Sequence, residues 1–475
     1  MKKMTEDWLA VWLGLFLFAL SLASLFGVDV LGWAVTTSVW TNPLKMLGPT
    51  SKSYAALSGV VSLLFTYLFL LVLMLAGARA LRLPLARFAT AFTAVFAAGY
   101  LSWMLGSWAY IAATPDKRAA YHIGWSLNLT NEAGYIVALV IGLLIGNFFP
   151  VLAARMKDAI RPELYIKTAI VILGGFLGVT AAEQLGLATS IMFSGLCAII
   201  VAYLIYWALV YYVARQFFHF SREWAAPLAS GISICGVSAA IATGSAIRAR
   251  PIVPVMVSSL VVIFAVMELL LLPFVAQAFL SHQPMVAGAW MGLAVKTDGG
   301  AVTSGAITES LIRARALADY GVRYKPGWIM GVTTTVKVFI DVFIGIWAFV
   351  LAWIWSAKIE PRQGDKVRAI EIWQRFPKFV LGYVATFAAI LAIGLLAPAQ
   401  VGKAKAAMAQ ANVFRGIFFV MTFFTIGVVS DFRRLWQEGI GKLALVYVLC
   451  LFGFIIWIGL VISWVFFHGV TPPTI

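Results

Sequence analysis

Two pairs of oppositely charged side chains interrupt segments that are otherwise apolar. Lys296 and Asp298 stand inside residues 292–305, a stretch of glycines and hydroxyl side chains, and Lys337 and Asp341 lie four residues apart in an apolar run. A charge at the centre of a bilayer costs about 2.5 to 3.5 kcal/mol or more, so a retained one usually lines a pathway or has a charged partner. We therefore expect Lys296 to attract an anion or act as an internal counter-charge, and Asp298 to carry a proton or a cation.

Each pair also has a purely structural interpretation, which the sequence leaves open. Lys296 and Asp298 would then form a static ion pair that holds the interrupted segments together. Lys337 and Asp341 share one helix face at this spacing and would neutralise each other. In the functional interpretation Lys337 reaches toward the interrupted segments as a charge for the substrate, and Asp341 takes part in ion coupling. Glu268, a lone acid in an apolar run, fits either packing or coupling.

A second stretch with possible chemistry covers residues 231–245, where small residues replace the Leu, Val, Ile and Phe of the other apolar runs. Glycine and serine let a helix break and leave peptide groups free, which hydrocarbon cannot satisfy, so such a break faces protein or water. The hydroxyl groups of Ser233, Ser238 and Thr243 and the Gly236 backbone, at the start of a half-helix, could bind an oxyanion, since the helix dipole favours negative charge there. Tight packing of small residues is the alternative. The residues predicted to bind substrate are Ser233, Cys235, Gly236, Ser238, Lys296, Thr297, Thr303, Ser304 and Lys337, and those predicted for ion coupling are Asp298 and Asp341.

The elements that must position these residues are membrane helices. Of the 475 residues, 62% are hydrophobic and 11% are charged, and the mean hydropathy is +0.95, whereas soluble chains have roughly 25% charged residues. Long apolar runs recur along the chain, which predicts an all-α polytopic membrane protein, because a β-barrel would alternate apolar and polar residues. The Lys and Arg residues of the connections, including 79–87 and 155–167, favour a cytoplasmic N-terminus. The thirteen predicted spans are about 8–27, 55–77, 88–112, 133–154, 166–183, 188–214, 225–246, 252–280, 286–308, 327–356, 377–397, 412–430 and 441–467.

The same residues argue against several other functions. The net charge of +16 comes from Lys and Arg between apolar runs, as anionic headgroups favour, so we expect the lipid bilayer and no nucleic acid as a partner. The widely spaced cysteines indicate neither a metal site nor a disulfide framework, and we expect no cofactor. Gly236-Val-Ser238 could belong to a hydrolase, but the histidines all fall in loops or at span ends, so a general base is missing. No filter sequence of a channel is visible, and we expect no enzyme.

The chain is predicted to divide into added helices and a transporter core. Similar patterns after Ile170 and Phe419 suggest two helix repeats. Paired repeats, with the binding site at their interface, are a common plan of secondary transporters. The predicted divisions are additional N-terminal membrane helices at 1–87, a core at 88–475, repeat halves at about 133–280 and 286–467, and a polar linker at 357–376.

Several motifs, in order along the chain, resemble those of a known transporter family. Ser233–Ala242, which reads Ser-Ile-Cys-Gly-Val-Ser-Ala-Ala-Ile-Ala, resembles the Ser-Ile-Cys-Gly-x-Ser-Ala-Ile-Ala signature of the YeiH-like sulfate exporters. The resemblance covers about residues 133–465 and implies a secondary transporter of the bacterial inner membrane, built from two inverted helix repeats with crossed, discontinuous helices. Further stretches that match in the same order are Gly142–Asn147, Lys167–Gly178, Thr335–Lys337, Phe376–Gly382 and Thr425–Gly427.

The chain departs from that family at its charged residues. Lys296 and Thr297 stand where the family has a histidine and an acid, Gly300 replaces a glutamine, and Ile340 replaces an arginine. We therefore expect the substrate to be a small anion of the sulfate, sulfite, sulfonate or carboxylate type, coupled to H⁺ or Na⁺. Export follows from the resemblance alone. The alternative is a cation/proton exchanger that uses Asp298, and either transporter could form a homodimer.

Overall fold

The structure is a computed structural model of the chain, and it describes residues 4–113, 117–127, 129, 133–250, 252–359, 373, 376–430 and 441–475. Helices form nearly all of the regular structure in these ranges, and a short hairpin pairs β1 (Val35–Thr37) antiparallel with β2 (Leu47–Pro49). The α-helices are α1 (Glu6–Leu22), α2 (Gly59–Ala80), α3 (Leu85–Gly106), α4 (Ala109–Ala112), α5 (Ala133–Phe148), α6 (Pro150–Met156), α7 (Pro162–Glu183), α8 (Leu185–Gln216), α9 (Arg222–Ser233), α10 (Gly236–Ala246), α11 (Ile252–Phe279), α12 (Pro284–Ala294), α13 (Asp298–Tyr320), α14 (Trp328–Ile354), α15 (Phe379–Leu396), α16 (Val401–Val429), α17 (Gly441–Cys450) and α18 (Ile456–Phe467).

The first of two compact units consists of Met1–Ala188, Arg313–Arg323 and Lys378–Val429. At its centre α15 and α16 pack on α7, and α16 also packs on α5. A Cβ on Gly142 would lie 2.2 Å from the Phe424 carbonyl oxygen, and a Cβ on Gly427 would lie 2.4 Å from the Leu139 carbonyl oxygen. Glycine at both positions therefore lets the backbones of α5 and α16 touch, which is how helices gain packing energy in lipid.

Helix α1 is fixed within this first unit by charged groups. The Thr5 side chain caps α1 by accepting from the Trp8 N–H at 3.3 Å. Lys167 Nζ lies 2.7 Å from Asp7 Oδ1, and α1 packs on α7, α15 and α16. The predicted division of the chain at residue 87 and the two predicted repeat halves are continuous segments of sequence, and they stay predictions.

The second compact unit consists of Thr189–Ile312, Tyr324–Pro377 and Ser430–Ile475. Every residue of α12 is buried, with α14 and α18 packed against it. The Trp290 indole N–H donates to the Ile456 carbonyl at 2.8 Å, so the polar end of this buried ring has a partner. Both stretches that the sequence predicts to be interrupted, α9–α10 and α12–α13, begin in this unit.

The all-α polytopic membrane architecture predicted from composition is confirmed. Ten helices in the described part of the chain are long and apolar enough to cross a membrane. Helices α5 and α6 bend by 114° at Phe149 and raise the number to eleven if they count as one span. The predicted spans 225–246 and 286–308 are the interrupted pairs α9–α10 and α12–α13. The number of thirteen spans therefore remains a prediction. The predicted linker at 357–376 lies largely outside the described residues, which do not include 360–372.

Candidate functional site

The first helix break follows directly from the small residues around Cys235. Helix α9 ends at Ser233, because Ile234 leaves helical geometry with φ −113° and ψ −105°. The chain resumes as α10 at Gly236, whose φ of +41° is in the left-handed region that favours glycine. A Cβ on Gly236 would lie 2.8 Å from the Lys296 carbonyl oxygen. Glycine is therefore needed here for conformation and for the close approach of the second break.

The second break lies between α12 and α13, at residues 295–297. Val295 is extended, with φ −77° and ψ +124°, and Asp298 begins the new helix. The Thr297 hydroxyl accepts from the Gly300 N–H at 3.1 Å, which satisfies one free donor of the first turn of α13. The two breaks thus bring the carbonyl ends of α9 and α12 together with the N–H ends of α10 and α13.

Lys337 of α14 bridges the carbonyl ends of the two interrupted helices. Its ammonium Nζ lies 3.4 Å from the Ile234 carbonyl oxygen and 3.3 Å from those of Val295 and Lys296. A cation is favourable at helix C-termini, where carbonyl groups lack partners within the helix. We call the place where the breaks at residues 234–235 and 295–297 meet the helix crossing. Lys337 is 1% exposed, so the helix crossing contains a fully buried positive charge.

Asp298 supplies the matching negative charge at the start of α13. Its Oδ1 accepts from the Cys235 thiol at 2.7 Å and lies 3.8 Å from Lys337 Nζ. A carboxylate is stabilised at a helix N-terminus by the free N–H groups. Asp341, one turn beyond Lys337 on α14, joins this group: its carboxylate and the ligand atoms of Cys235 and Asp298 all lie within 4.8 Å of one another.

Lys296 has different partners from those that the sequence suggested. Its Nζ donates to the Leu293 carbonyl and sits 4.8 Å from the centre of the Tyr206 ring. Its backbone N–H donates to Glu268 Oε2 at 3.0 Å. Lys296 therefore neighbours Glu268 of α11, and within the described residues its ammonium makes no ion pair with Asp298.

The hydroxyl groups predicted to bind substrate are distributed unevenly. The buried Oγ atoms of Ser233, Thr303 and Ser304 have no hydrogen-bond partner within the described part of the chain, so each retains capacity for a ligand or water. Thr243, by contrast, donates to Ser230 Oγ at 2.7 Å. Ser238 lies in the first turn of α10 and is partly exposed.

The sequence left the role of Glu268 undecided between packing and coupling, and it did not indicate that Tyr206 lies next to Lys296. Glu268 lies on α11 and meets residue 296 across 28 positions of sequence, a distance over which helix spacing gives no information. Tyr206 carries no signal beyond being one aromatic residue in a long apolar helix. A lone acid in an apolar helix does imply a buried partner. For Glu268 that partner is the backbone N–H of Lys296, at the second break.

Charge at the crossing is unbalanced when every group is ionised. Three carboxyl groups (Glu268, Asp298 and Asp341) and two ammonium groups (Lys296 and Lys337) lie in this part of the described structure, each at most 3% exposed. Three negative and two positive charges leave one net negative charge. Burying an unpaired charge is strongly unfavourable, so the site suits uptake of one proton or one cation, and further protons would make it positive.

Comparison with known proteins agrees with this membrane architecture. The chain matches the family model described as conserved hypothetical protein 698 over residues 117–446. It is 42% identical over 475 residues to a UPF0324 membrane protein of Nitrosomonas europaea, covering 99% of this chain and 97% of the relative. It is also 27% identical over 441 residues to a UPF0324 membrane protein of Rhodopirellula baltica, covering 92% and 72%. No solved structure matches the chain.

A shorter relative covers part of the same sequence. An uncharacterized protein of Archaeoglobus fulgidus is 49% identical over 169 residues, which are 31% of this chain and 90% of the relative. The names of the Nitrosomonas and Rhodopirellula relatives state a membrane protein and give no substrate. Because the family model spans more than half of the chain and a relative aligns over nearly all of it, the chain belongs to the UPF0324 family of membrane proteins, described as conserved hypothetical protein 698.

Proposed function

We propose that this protein is a secondary active transporter of the bacterial inner membrane that moves a small anion, with protons as the coupling ion. The observation that carries the proposal is the buried Lys337–Asp298 pair at the point where two interrupted helices meet. The proposed substrate is of the sulfate, sulfite, sulfonate or carboxylate type, and the resemblance to sulfate exporters favours export. Transport of this kind needs no enzymatic step, and it is compatible with a homodimer.

Interrupted helices support transport over a purely structural role. Non-helical backbone at membrane depth is tolerated where it is buried in protein or lines a water-filled cavity, and transporters place such breaks at their substrate and ion sites. Two helices that served only to pack would not each need a break that brings their free peptide groups together. A lysine and an aspartate at membrane depth are costly to bury, and such residues usually mark the pathway of a substrate or an ion.

Proton coupling follows from the excess of carboxyl groups. The helix crossing has the carboxyl groups of Glu268, Asp298 and Asp341 and the ammonium groups of Lys296 and Lys337. Protonation of Asp298 and Asp341 would change their net charge from −1 to +1. An anion binds better to the positive state, and by linkage it favours proton binding by the same factor. The hydroxyls of Ser233, Thr303 and Ser304, buried and without partners among the described residues, would then complete an oxyanion site.

Cation/proton exchange is a second candidate with an observation of its own. Cys235, Asp298 and Asp341 bring their ligand atoms within 4.8 Å of one another, and the ionised site has one net negative charge. A monovalent cation and a proton would then compete for Asp298. In this mechanism Lys296 and Lys337 stabilise the crossing and do not contact the transported ion.

Proteoliposomes that contain a pH-sensitive dye distinguish the two candidates. An imposed gradient of sulfate, sulfite, a sulfonate or a carboxylate should change the internal pH if the protein is a proton-coupled anion transporter, whichever cation accompanies it. A gradient of Na⁺ or K⁺ should do so, whichever anion is present, if it is an exchanger. Asp298→Asn should abolish either signal. Asp319→Asn removes an exposed carboxylate and is the matched control, which should transport normally.

Two further results decide how the residues are used. Lys296→Met should weaken an anion response if the lysine attracts the substrate, and should leave cation exchange unchanged. Equal transport by Asp298→Asn and Asp319→Asn would show that the crossing is not the coupling site. A folded, reconstituted protein that responds to neither anion nor cation gradients would contradict the proposed function itself.

A further inference from the structure

A basic cavity in the first compact unit lies apart from the helix crossing. It has a volume of about 730 Å³, within the range that holds a small ligand. It forms where α3 packs on α6 and on the turn Lys157–Ala159 that follows α6. The lining residues are Arg87, Thr90, Ala94, Leu152, Ala154, Arg155, Lys157 and Asp158.

The cavity has an excess of positive charge that the rest of the described chain does not neutralise. Arg87, Arg155 and Lys157 are all exposed, and within the described residues none of them forms an ion pair. Asp158 is the single acid among the lining residues. Three cations converging on one cavity favour an anion that accepts several hydrogen bonds, and arginine binds the oxygens of a phosphate in pairs.

Exposed apolar side chains next to the cations indicate that the cavity opens at the membrane interface. Helix α6 turns by 114° from the direction of α5, as a segment does when it leaves a span. Phe148, Phe149 and Val151 around this bend are 63%, 58% and 69% exposed. Aromatic and aliphatic groups beside a row of Lys and Arg are typical of segments that lie at the headgroup level.

The position along the chain agrees with the cytoplasmic leaflet. The distribution of Lys and Arg predicts that residues 79–87 and 155–167 both face the cytoplasm, and the structure brings Arg87 and Arg155 from these two connections to one cavity. Anionic lipids concentrate in that leaflet, and basic cavities between membrane helices on that side bind their headgroups.

We propose that this cavity binds the phosphate headgroup of an anionic phospholipid, with the acyl chains lying against the exposed apolar residues of the α5–α6 bend. Arg87 holds the phosphate from α3, and Arg155 and Lys157 hold it from the other wall. The proposal does not depend on what the protein transports. A soluble phosphate has the same anionic group but nothing that would contact Phe149 and Val151, so the lipid is the occupant that uses both halves of the site.

Native mass spectrometry of the purified full-length protein in neutral detergent tests this proposal. Phosphatidylglycerol should bind and survive detergent removal, whereas phosphatidylcholine and inorganic phosphate should not. The variant with Arg87→Gln, Arg155→Gln and Lys157→Gln should bind phosphatidylglycerol about 100-fold more weakly, since each cation near a lipid surface contributes on the order of 1 kcal/mol. The matched control replaces Lys45, Lys52 and Lys117 by Gln, three exposed lysines of the same unit, and should bind as the wild type does.

The remaining outcomes overturn the proposal in different ways. Equal phosphatidylglycerol binding by the cavity variant and the control variant would show that the lipid binds elsewhere. Inorganic phosphate that displaces the lipid at equal concentration would make the cavity a soluble-phosphate site. If the triple variant does not fold, a photoreactive phosphatidylglycerol headgroup on the wild type decides: crosslinks at residues 87–94 and 152–158 support the proposal, and crosslinks elsewhere contradict it.

Discussion

Replacing Asp298 by Asn tests whether the Lys337–Asp298 pair holds the helix crossing together. The two charged atoms are 3.8 Å apart, and at an effective dielectric constant of about 20 two unit charges at that distance attract by roughly 4 kcal/mol. Asn keeps the shape of the side chain and an oxygen that accepts from the Cys235 thiol, so the charge is what is lost. We expect the free energy of unfolding to fall, but by less than the roughly 3 to 5 kcal/mol of a pair whose remaining charge is left uncompensated, because Asp341 belongs to the same group of buried side chains.

Lys337→Met should destabilise the protein at least as much. Besides its attraction to Asp298, the ammonium lies within 3.4 Å of three carbonyl oxygens, those of Ile234, Val295 and Lys296, and each would lose its charged neighbour. Leaving a buried polar group without a partner costs about 1 to 3 kcal/mol. The double variant should then be less destabilised than the sum of the two single variants, by about 4 kcal/mol.

Equilibrium unfolding in mixed micelles with increasing SDS provides the measurement. The 18 tryptophans of the chain supply the fluorescence signal, and circular dichroism gives an independent probe of the same transition. If the two single losses add to within about 0.5 kcal/mol, the two side chains do not interact. The assignment of Lys337 and Asp298 as a pair would then be wrong, whatever either residue does in transport.

Two other changes give separate checks. Gly236→Ala should destabilise the protein by about 2 to 5 kcal/mol, because alanine is strained at φ +41° and its Cβ would lie 2.3 Å from Val261 Cγ1. The control is Gly186→Ala, since a Cβ at Gly186 meets nothing within 4 Å. Equal melting temperatures for the two variants would contradict the strain assigned to Gly236. Hydrogen bonds from Arg250 lower the pKa of the Glu223 carboxyl below its usual 4.5, so this group stabilises the folded state above pH 4.5 and that contribution is lost as the pH falls through the lowered pKa. The melting temperature of the wild type should therefore decrease more steeply below pH 4.5 than that of Arg250→Gln, and parallel curves would show that the pair does not contribute.

Much of the architecture was predictable because membrane helices have a distinctive amino-acid composition. Long apolar runs specify spans, and the glycines and serines of residues 231–245 specify where a span is interrupted. The structure places the first break at Ile234 and Cys235, inside that stretch. It also places Lys337 against both breaks, as the functional interpretation of that residue requires.

The partners of the charged residues could not be read from the sequence in the same way. Spacing along a helix identifies possible neighbours three or four residues apart, so it could suggest a pair of Lys337 and Asp341. It could not show that Lys296 meets Glu268, because that contact depends on how α11 packs beside the second break. The bend between α5 and α6 had a local signal, since Pro150 begins α6 at its first residue and proline at that position commonly starts a new helix. The apolar run continues through this bend, and hydropathy alone therefore extended the predicted span to residue 154.

Lys296 and Lys337 differ in their surroundings at the helix crossing, and this difference affects how proton uptake and anion binding could be coupled. Lys296 is turned toward Leu293 and Tyr206, whereas Lys337 binds the carbonyl ends of both interrupted helices and faces Asp298. Protonation of Asp298 would remove the negative charge that lies 3.8 Å from Lys337 Nζ, so in the proposed mechanism the same event that neutralises the acid lets the ammonium attract an anion. Proton uptake and anion binding then use one pair of side chains, and removing either member should uncouple both.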